Sequence, residues 1–475
     1  MNKDTSEEPS IEPQVQGNES IGDGQAEETY ATRFRERKRE EELQRKSKLK
    51  QKEHNVVIHP RLKPVPFKDL DLLPSSIPDQ TEVITIDDIK FGQLEDLPFN
   101  KRGFKYKHCR PNPGFVSNLY STTDDKPYEV RTSLFDRSAG VLLSKDLSTI
   151  TTAQGWRSAR SNVCIREGCY YFEFRILKAD EKSHVRIGIG RKEASLEAPV
   201  GFDGYSYGLR DVDGQFMTIS RRQKLSIEGG FRTGDVIGFL VELPALEDHR
   251  KAIEDFTTEK SKLQVDQKQK RRTKKKKVEH NIQDNVMFNE HSNIVRDQIP
   301  IKYKNALYYE QYEYTTTKTM EHLLNPVTVF GEKAIIEMDD KTKNIPIIPD
   351  SRIRLFKNGI EQETITDMYS FLPTNLEDTE DINLGPNTRQ QLNPNYRNTD
   401  DGSLGYYPMF SAFQYGVVQL NPGPDFDFAP PSITANRVKV KPLSDRYNDQ
   451  VVEQLYWDII DEVEAQYLDS FDLTK

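Results

Sequence analysis

The sequence predicts an all-β protein: an antiparallel β-sandwich with two polar insertions, preceded by charged and proline-punctuated chain and followed by one amphipathic helix. Three observations predict it. From residue 129 onward, short runs rich in β-branched and aromatic residues recur between glycine turns, as in CYYFEFRI (169–176), SHVRIGIG (183–190) and DVIGFLVEL (235–243). Within the first run, Tyr170, Phe172, Phe174 and Ile176 alternate with Tyr171, Glu173 and Arg175, the period of two that sends one set to each face of a strand. No helical pattern separates these runs, which argues against a βαβ alternation.

The elements follow in order. Residues 1–55 are Ser-, Glu- and Gln-rich and then almost wholly charged from Arg33 to Lys52; they hold too few apolar side chains to dock a face and are expected to be disordered. Residues 56–128 are punctuated by proline and are expected to lie extended over the domain that follows. The sandwich is expected over 129–436. It is interrupted at 245–292 by a Lys-rich insertion and at 374–403 by a polar one. Strands resume at Ser351, where Asn358-Gly359 marks a hairpin turn because both positions tolerate positive φ. The runs YYPMFSAF (406–413) and QYGVVQLN (414–421) form a last strand pair. In 437–475, Ser444-Asp445 offers a helix cap, and Val452, Leu455, Ile459 and Val463 fall at i, i+3, i+7 and i+11, one stripe of a helix.

Composition bounds the function. Hydrophobic residues make up 35% of 475 and charged residues 30%, so one core is diluted by polar chain. Three cysteines and no apolar leader point to a reducing, intracellular setting rather than a disulfide framework or a membrane. No P-loop, Gly-x-Ser-x-Gly elbow, dinucleotide-binding glycine pattern or Cys-x-x-Cys occurs, and the eight histidines lack metal-ligand spacing. Neither catalysis nor a cofactor or metal is expected. Cys164 and Cys169 read as small core fillers, and Glu173 as a solvated charge.

The succession LFDR (134–137), GWRSARS (155–161), REGCYYFE (166–173), VRIGI (185–189), APVGFDGYSYGLR (198–210), GDVIGF (234–239), LFKNG (355–359) and YYPMF (406–410), ending in PLSD (442–445) and the terminal helix, resembles the SPRY-domain subunits of the Ash-two/Bre-two family of COMPASS-type histone methyltransferases. The yeast type fits best. The first hundred residues contain no cysteine, so the cysteine-rich and winged-helix part of animal relatives is not expected, nor DNA binding through it. The resemblance implies a non-catalytic nuclear scaffold, with methylation of lysine four of histone three performed by a SET-domain partner chain.

The resemblance also implies two partner surfaces. Trp156, Arg186, Pro199, Phe202 and Arg210 match a pocket for an acidic segment of the WD-repeat subunit (Swd-one or retinoblastoma-binding-protein-five type). Guanidinium forks suit carboxylates; Trp156 and Phe202 stand where the animal pattern has tyrosines. Read by themselves, the two arginines could equally be solvated charges. Val452, Leu455, Ile459 and Val463 match the stripe that docks on a small dimeric subunit (Sdc-one or Dpy-thirty type), the helix-in-groove mode; packing back on the sandwich is the alternative.

The tract KQKRRTKKKK, with Lys270, Arg271, Arg272, Lys274, Lys275, Lys276 and Lys277 at its heart, reads as a nuclear localisation signal, as a sequence-independent contact to nucleosomal DNA, or as a solvated loop. Two other functions compete with the scaffold. A SPRY-type substrate receptor for ubiquitin ligation would carry RING, B-box or coiled-coil elements, which the sequence lacks. A chromatin-binding protein would act through its basic tracts.

Overall fold

The computed structural model describes residues 80–94, 104–111, 120–121, 127–225, 227–249, 251–252, 255, 298–303, 306–312, 347–370, 405–428, 439–456 and 459. Two antiparallel sheets face each other, as the alternating runs require. In the larger, Gly168–Lys178 lies between Val236–Leu243 and Val417–Asn421. That sheet continues through Arg352–Lys357 to Ile360–Thr366 on one side, and through Thr149–Thr151 and Leu142–Ser144 on the other. The facing sheet centres on His184–Gly190, flanked by Ser206–Arg210 and Tyr407–Phe413. It extends to Gln215–Thr218 and Arg221–Leu225 at one edge, and to Arg157–Ser161 and Thr132–Arg137 at the other.

Alternation decides the core. Tyr170, Phe172, Phe174 and Ile176 from the larger sheet share one buried cluster with Val185, Ile187, Ile189 and Phe410 from the smaller. The Phe172 and Phe239 rings stack at 5.6 Å, and Phe174 meets Phe410 across the layers at 5.5 Å. Aromatic pairs at such separations add roughly 0.5–1.5 kcal/mol beyond their buried area.

The opposite face of Gly168–Lys178 corrects the sequence expectation for Glu173. Tyr171 points away from the main core into a second cluster with Cys169, Leu240 and Phe356, against which Phe426 and Val440 pack. Glu173, beside it, is fully buried. Its carboxylate accepts hydrogen bonds from the Tyr171 hydroxyl, Asn421 Nδ2 and the backbone N–H groups of Asp427 and Phe428. The chain after Val417–Asn421 folds back over this face and converts a position that alternation assigns to solvent into a buried anion site.

Residues 80–94 add more than an extended strap. Gln80–Ile86 and Ile89–Leu94 form a hairpin whose second strand joins the larger sheet at Leu142–Ser144. Asp87 and Asp88 turn it at φ 46° and 66°, conformations that Asp tolerates better than most residues. Phe104–His108 pairs with Ala306–Tyr312, which pairs with Gln298–Tyr303, in a separate three-stranded sheet.

Asn358 and Gly359 make the expected turn at φ 49° and 80°, and Lys357 pairs with Ile360 across it. A Cβ on Gly359 would also come within 2.9 Å of the Phe428 ring. Gly359→Ala is therefore expected to destabilise the fold by about 1–2 kcal/mol through left-handed strain and crowding. Denaturant unfolding reads this directly, and an unchanged midpoint would contradict it.

Candidate functional site

The outer face of the smaller sheet carries the arginine pair. In Val185-Arg186-Ile187 the aliphatic neighbours point into the core, so Arg186 must point out. Antiparallel register sets it directly opposite Arg210 on one neighbouring strand and Ser411 on the other. Two guanidinium side chains thus share one spot, half-buried rather than waving in solvent.

Among the described residues Arg210 has a carboxylate in ion-pair range and Arg186 has none. Arg186 donates from Nη1 to the Val200 carbonyl at 3.3 Å, while its buried Nε finds no acceptor among the described residues. Burial, followed by the like charge of Arg210, pushes the Arg186 pKa down to about 10. The two nearby carboxylates are already engaged. Asp211 accepts from the His184 ring at 2.9 Å and from the Val185 N–H at 3.3 Å. Asp213 lies 3.4 Å from Arg210 Nε. Two neighbouring guanidinium groups that are only half-buried are the arrangement an incoming carboxylate can engage through their accessible N–H groups.

An aromatic shelf adjoins the pair. The Arg186 guanidinium sits 5.1 Å from the centroid of the Trp156 ring, and Trp156 packs on Phe413 at 5.3 Å. Phe413 in turn meets His184 at 6.1 Å. The loop after His184–Gly190 forms a wall: Ser158 Oγ donates to the Ala198 carbonyl, and Val200 N–H donates to Ser411 Oγ at 2.9 Å. Gly208 permits this approach, since a Cβ there would fall 2.2 Å from the Val200 carbonyl oxygen. Pro199 lies in that wall, between Ala198 and Val200.

The structure thus gathers Trp156, Arg186 and Arg210, and sets Pro199 in the bordering loop. Phe202 follows on the same loop and is 41% exposed, its N–H donating to the Pro199 carbonyl at 3.0 Å and its carbonyl accepting from Ser220 Oγ. Sequence reasoning missed Phe413, His184, Asp211 and Asp213. The alternation of YYPMFSAF marked Phe413 as facing away from Ala412; only the strand order brings it to Trp156.

The second surface is the helix at 445–456, with residue 459 also helical. Its first turns are fastened to the sandwich by polar groups. Arg446 Nε donates to the Cys164 carbonyl at 3.0 Å, Gln450 Nε2 donates to the Asn162 carbonyl at 2.7 Å, and Cys164 N–H returns a bond to Gln450 Oε1. Leu443 and Tyr447 enter the main core. Ser444 occupies the cap position, but its hydroxyl makes no hydrogen bond among the described residues. The apolar stripe faces away: Val452, Leu455 and Ile459 are 65%, 46% and 43% exposed. Val463 lies outside the described residues, as do Lys270, Arg271, Arg272, Lys274, Lys275, Lys276 and Lys277.

Cys109, Cys164 and Cys169 are buried free thiols. Burial pushes Cys109 and Cys169 up to about 12, far from the thiolate that reactivity needs. No cluster of three or more metal-ligating side chains occurs among the described residues. No helix among them is long and apolar enough to cross a membrane.

No family model matches the chain. It is 34% identical over 420 residues to the COMPASS component cclA of Colletotrichum higginsianum, covering 79% of this chain and 69% of that protein. It is 33% identical over 411 residues to the Set1 complex component ash2 of Schizosaccharomyces pombe, covering 85% of this chain and 52% of that protein. It is 28% identical over 465 residues to the COMPASS component BRE2 of Saccharomyces cerevisiae, with 79% and 89% covered. Among solved structures, a human SPRY domain aligns over 60% of this chain and 98% of its own, at 10% identity and a TM-score of 0.27.

Proposed function

Because the chain belongs to the family of COMPASS and Set1 complex components that includes cclA, ash2 and BRE2, we propose that it is a non-catalytic scaffold subunit of a histone methyltransferase complex and works in the nucleus. A SET-domain partner would carry the methylation of lysine four of histone three. This chain would hold other subunits in place around that partner.

The observation that carries the reading is the Arg186–Arg210 pair: two adjacent, half-buried guanidinium groups, one of them without a carboxylate partner among the described residues, beside the Trp156–Phe413 shelf. That chemistry suits an acidic segment, which the resemblance assigns to the WD-repeat subunit. Carboxylates would take the guanidinium forks, and the shelf would exclude water and strengthen the charged contacts. The direct test is titration of the recombinant WD-repeat subunit, with and without its acidic segment, into the full chain. Affinity that does not depend on the segment would remove this assignment.

The exposed stripe supports the second contact. A helix that fastens its first turns to its own sandwich through Arg446, Tyr447 and Gln450 and leaves Val452, Leu455 and Ile459 outside suits an apolar groove on the small dimeric subunit. Leu455→Ala is expected to weaken that contact roughly tenfold, in line with about 1.5 kcal/mol of lost apolar burial, while thermal unfolding stays unchanged. A drop in Tm with unchanged binding would point to packing within the chain instead. Contact of the basic tract with nucleosomal DNA remains a separate proposal. Deleting 266–279 tests it, since the scaffold reading requires complex assembly to survive that deletion.

A further inference from the structure

Beside the arginine pair stands a carboxylate, Asp213, that an anion-binding surface would not by itself call for. Asp213 lies in the turn between Ser206–Arg210 and Gln215–Thr218, 3.4 Å from Arg210 Nε and 4.0 Å from Arg222 Nη2. Arg210 makes no other side-chain polar contact among the described residues. The turn is held rigidly. Gly214 N–H donates to the Arg210 carbonyl, Ile227 N–H donates to the Gly214 carbonyl, and Phe231 N–H donates to the Asp211 carbonyl at 2.8 Å. Gly214 sits at φ 64°, and a Cβ there would strike the Ile227 carbonyl oxygen at 1.8 Å. Asp213 Oδ1 also accepts the Gln215 N–H at 3.2 Å, which tethers the carboxylate beside Arg210.

We propose that Asp213 is a built-in counter-charge that tunes this pocket's selectivity: it partly neutralises Arg210 in the free chain and repels any carboxylate that approaches it. This inference rests on the acidic-segment reading and names the device that limits its affinity. With Asp213 in place, a single carboxylate offered to Arg210 meets a competing anion a few ångströms away. A segment that also brings a carboxylate to Arg186, which has no carboxylate in ion-pair range among the described residues, gains the advantage. The pocket therefore prefers multiply acidic segments over isolated anions, and exchanges them readily. Asp211 does not share the role, because its carboxylate is engaged by His184 and the Val185 N–H.

The test uses Asp213→Asn in the full chain, with a fluorescein-labelled decapeptide carrying four glutamates and, in parallel, one carrying a single glutamate. Asparagine keeps an oxygen that can accept the Gln215 N–H and removes only the charge, so thermal unfolding should match the wild type. Binding of both peptides should tighten by about three- to tenfold at low salt, the scale of one like-charge repulsion at this range in a partly solvated site. The gain should be larger for the singly acidic peptide and should shrink as salt screens it. Unchanged or weaker binding would overturn the inference, the latter making Asp213 a group that positions Arg210. A wild-type chain that binds neither peptide, or an Arg210→Ala variant that binds them equally well, would overturn the underlying pocket assignment instead.

Discussion

Replacing Arg186 and Arg210 together with alanine is expected to weaken binding of an acidic segment by about 10²- to 10⁴-fold. Each guanidinium would contribute a charge-assisted contact of roughly 1.5–3 kcal/mol in a pocket partly closed to water. The fold should not notice. Among the described residues Arg210 pairs only with Asp213, and a partly exposed ion pair of that kind adds at most about 1 kcal/mol. Arg186 is held against its preference, with burial and the neighbouring cation both lowering its pKa to about 10, so its removal relieves as well as costs. Anisotropy with an acidic peptide, run beside calorimetric unfolding, checks both halves. Binding within threefold of wild type would contradict the pocket assignment, whatever the unfolding shows.

The largest effect on stability is expected at Glu173. Glu173→Gln keeps the shape but turns two acceptor lone-pair positions into donors, facing an N–H that already points inward. Either amide orientation leaves the Asp427 or the Phe428 N–H without an acceptor, and the loop that covers Tyr171 loosens. Leaving buried donors unpaired should cost about 3 kcal/mol, seen as a fall in Tm of roughly 6–10 °C. The pH dependence has a definite sign. Burial raises the Glu173 carboxyl above the usual carboxylate range, against the pull of the hydrogen bonds from Asp427, Phe428 and Tyr171. Its titration therefore favours the folded chain most below about pH 4.3 and loses that share as pH rises through the folded value. Glutamine does not titrate, so the gap between wild type and variant should widen as pH falls from neutrality toward the ordinary carboxylate range. A variant as stable as wild type, or a gap that narrows, would contradict this account.

Much of the fold was legible because the alternation in 169–176 and 183–190 states which side chains share a face. The turn at Asn358-Gly359 was legible because few residue pairs accept two positive φ values. Glu173 was misread for a physical reason: alternation assigns faces, but it cannot say that residues 421–428 will fold back and cover one of them. The hairpin at 80–94 escaped similarly. Its Ile84, Ile86, Ile89 and Phe91 alternate, yet the surrounding prolines gave the whole segment the look of a strap.

At the site, the motif supplied Trp156, Arg186 and Arg210, while their neighbours Phe413 and Asp213 depend on which strands and turns meet. Strand order over separations of more than 200 residues is not written in any local pattern. The exposed helix stripe was legible from spacing alone, since Val452, Leu455 and Ile459 repeat with the helical period. What spacing could not give was the polar fastening of the same helix through Arg446 and Gln450.

The most direct test is affinity purification of the tagged full chain from its own cells, with the co-eluting proteins identified for wild type and for the Arg186→Ala/Arg210→Ala variant. A gripping subunit should bring down a WD-repeat chain, a SET-domain chain and a small dimeric chain. The variant should lose the WD-repeat chain and keep the small one on its untouched helix. An identical set of companions from both forms would mean that the guanidinium pair holds no subunit.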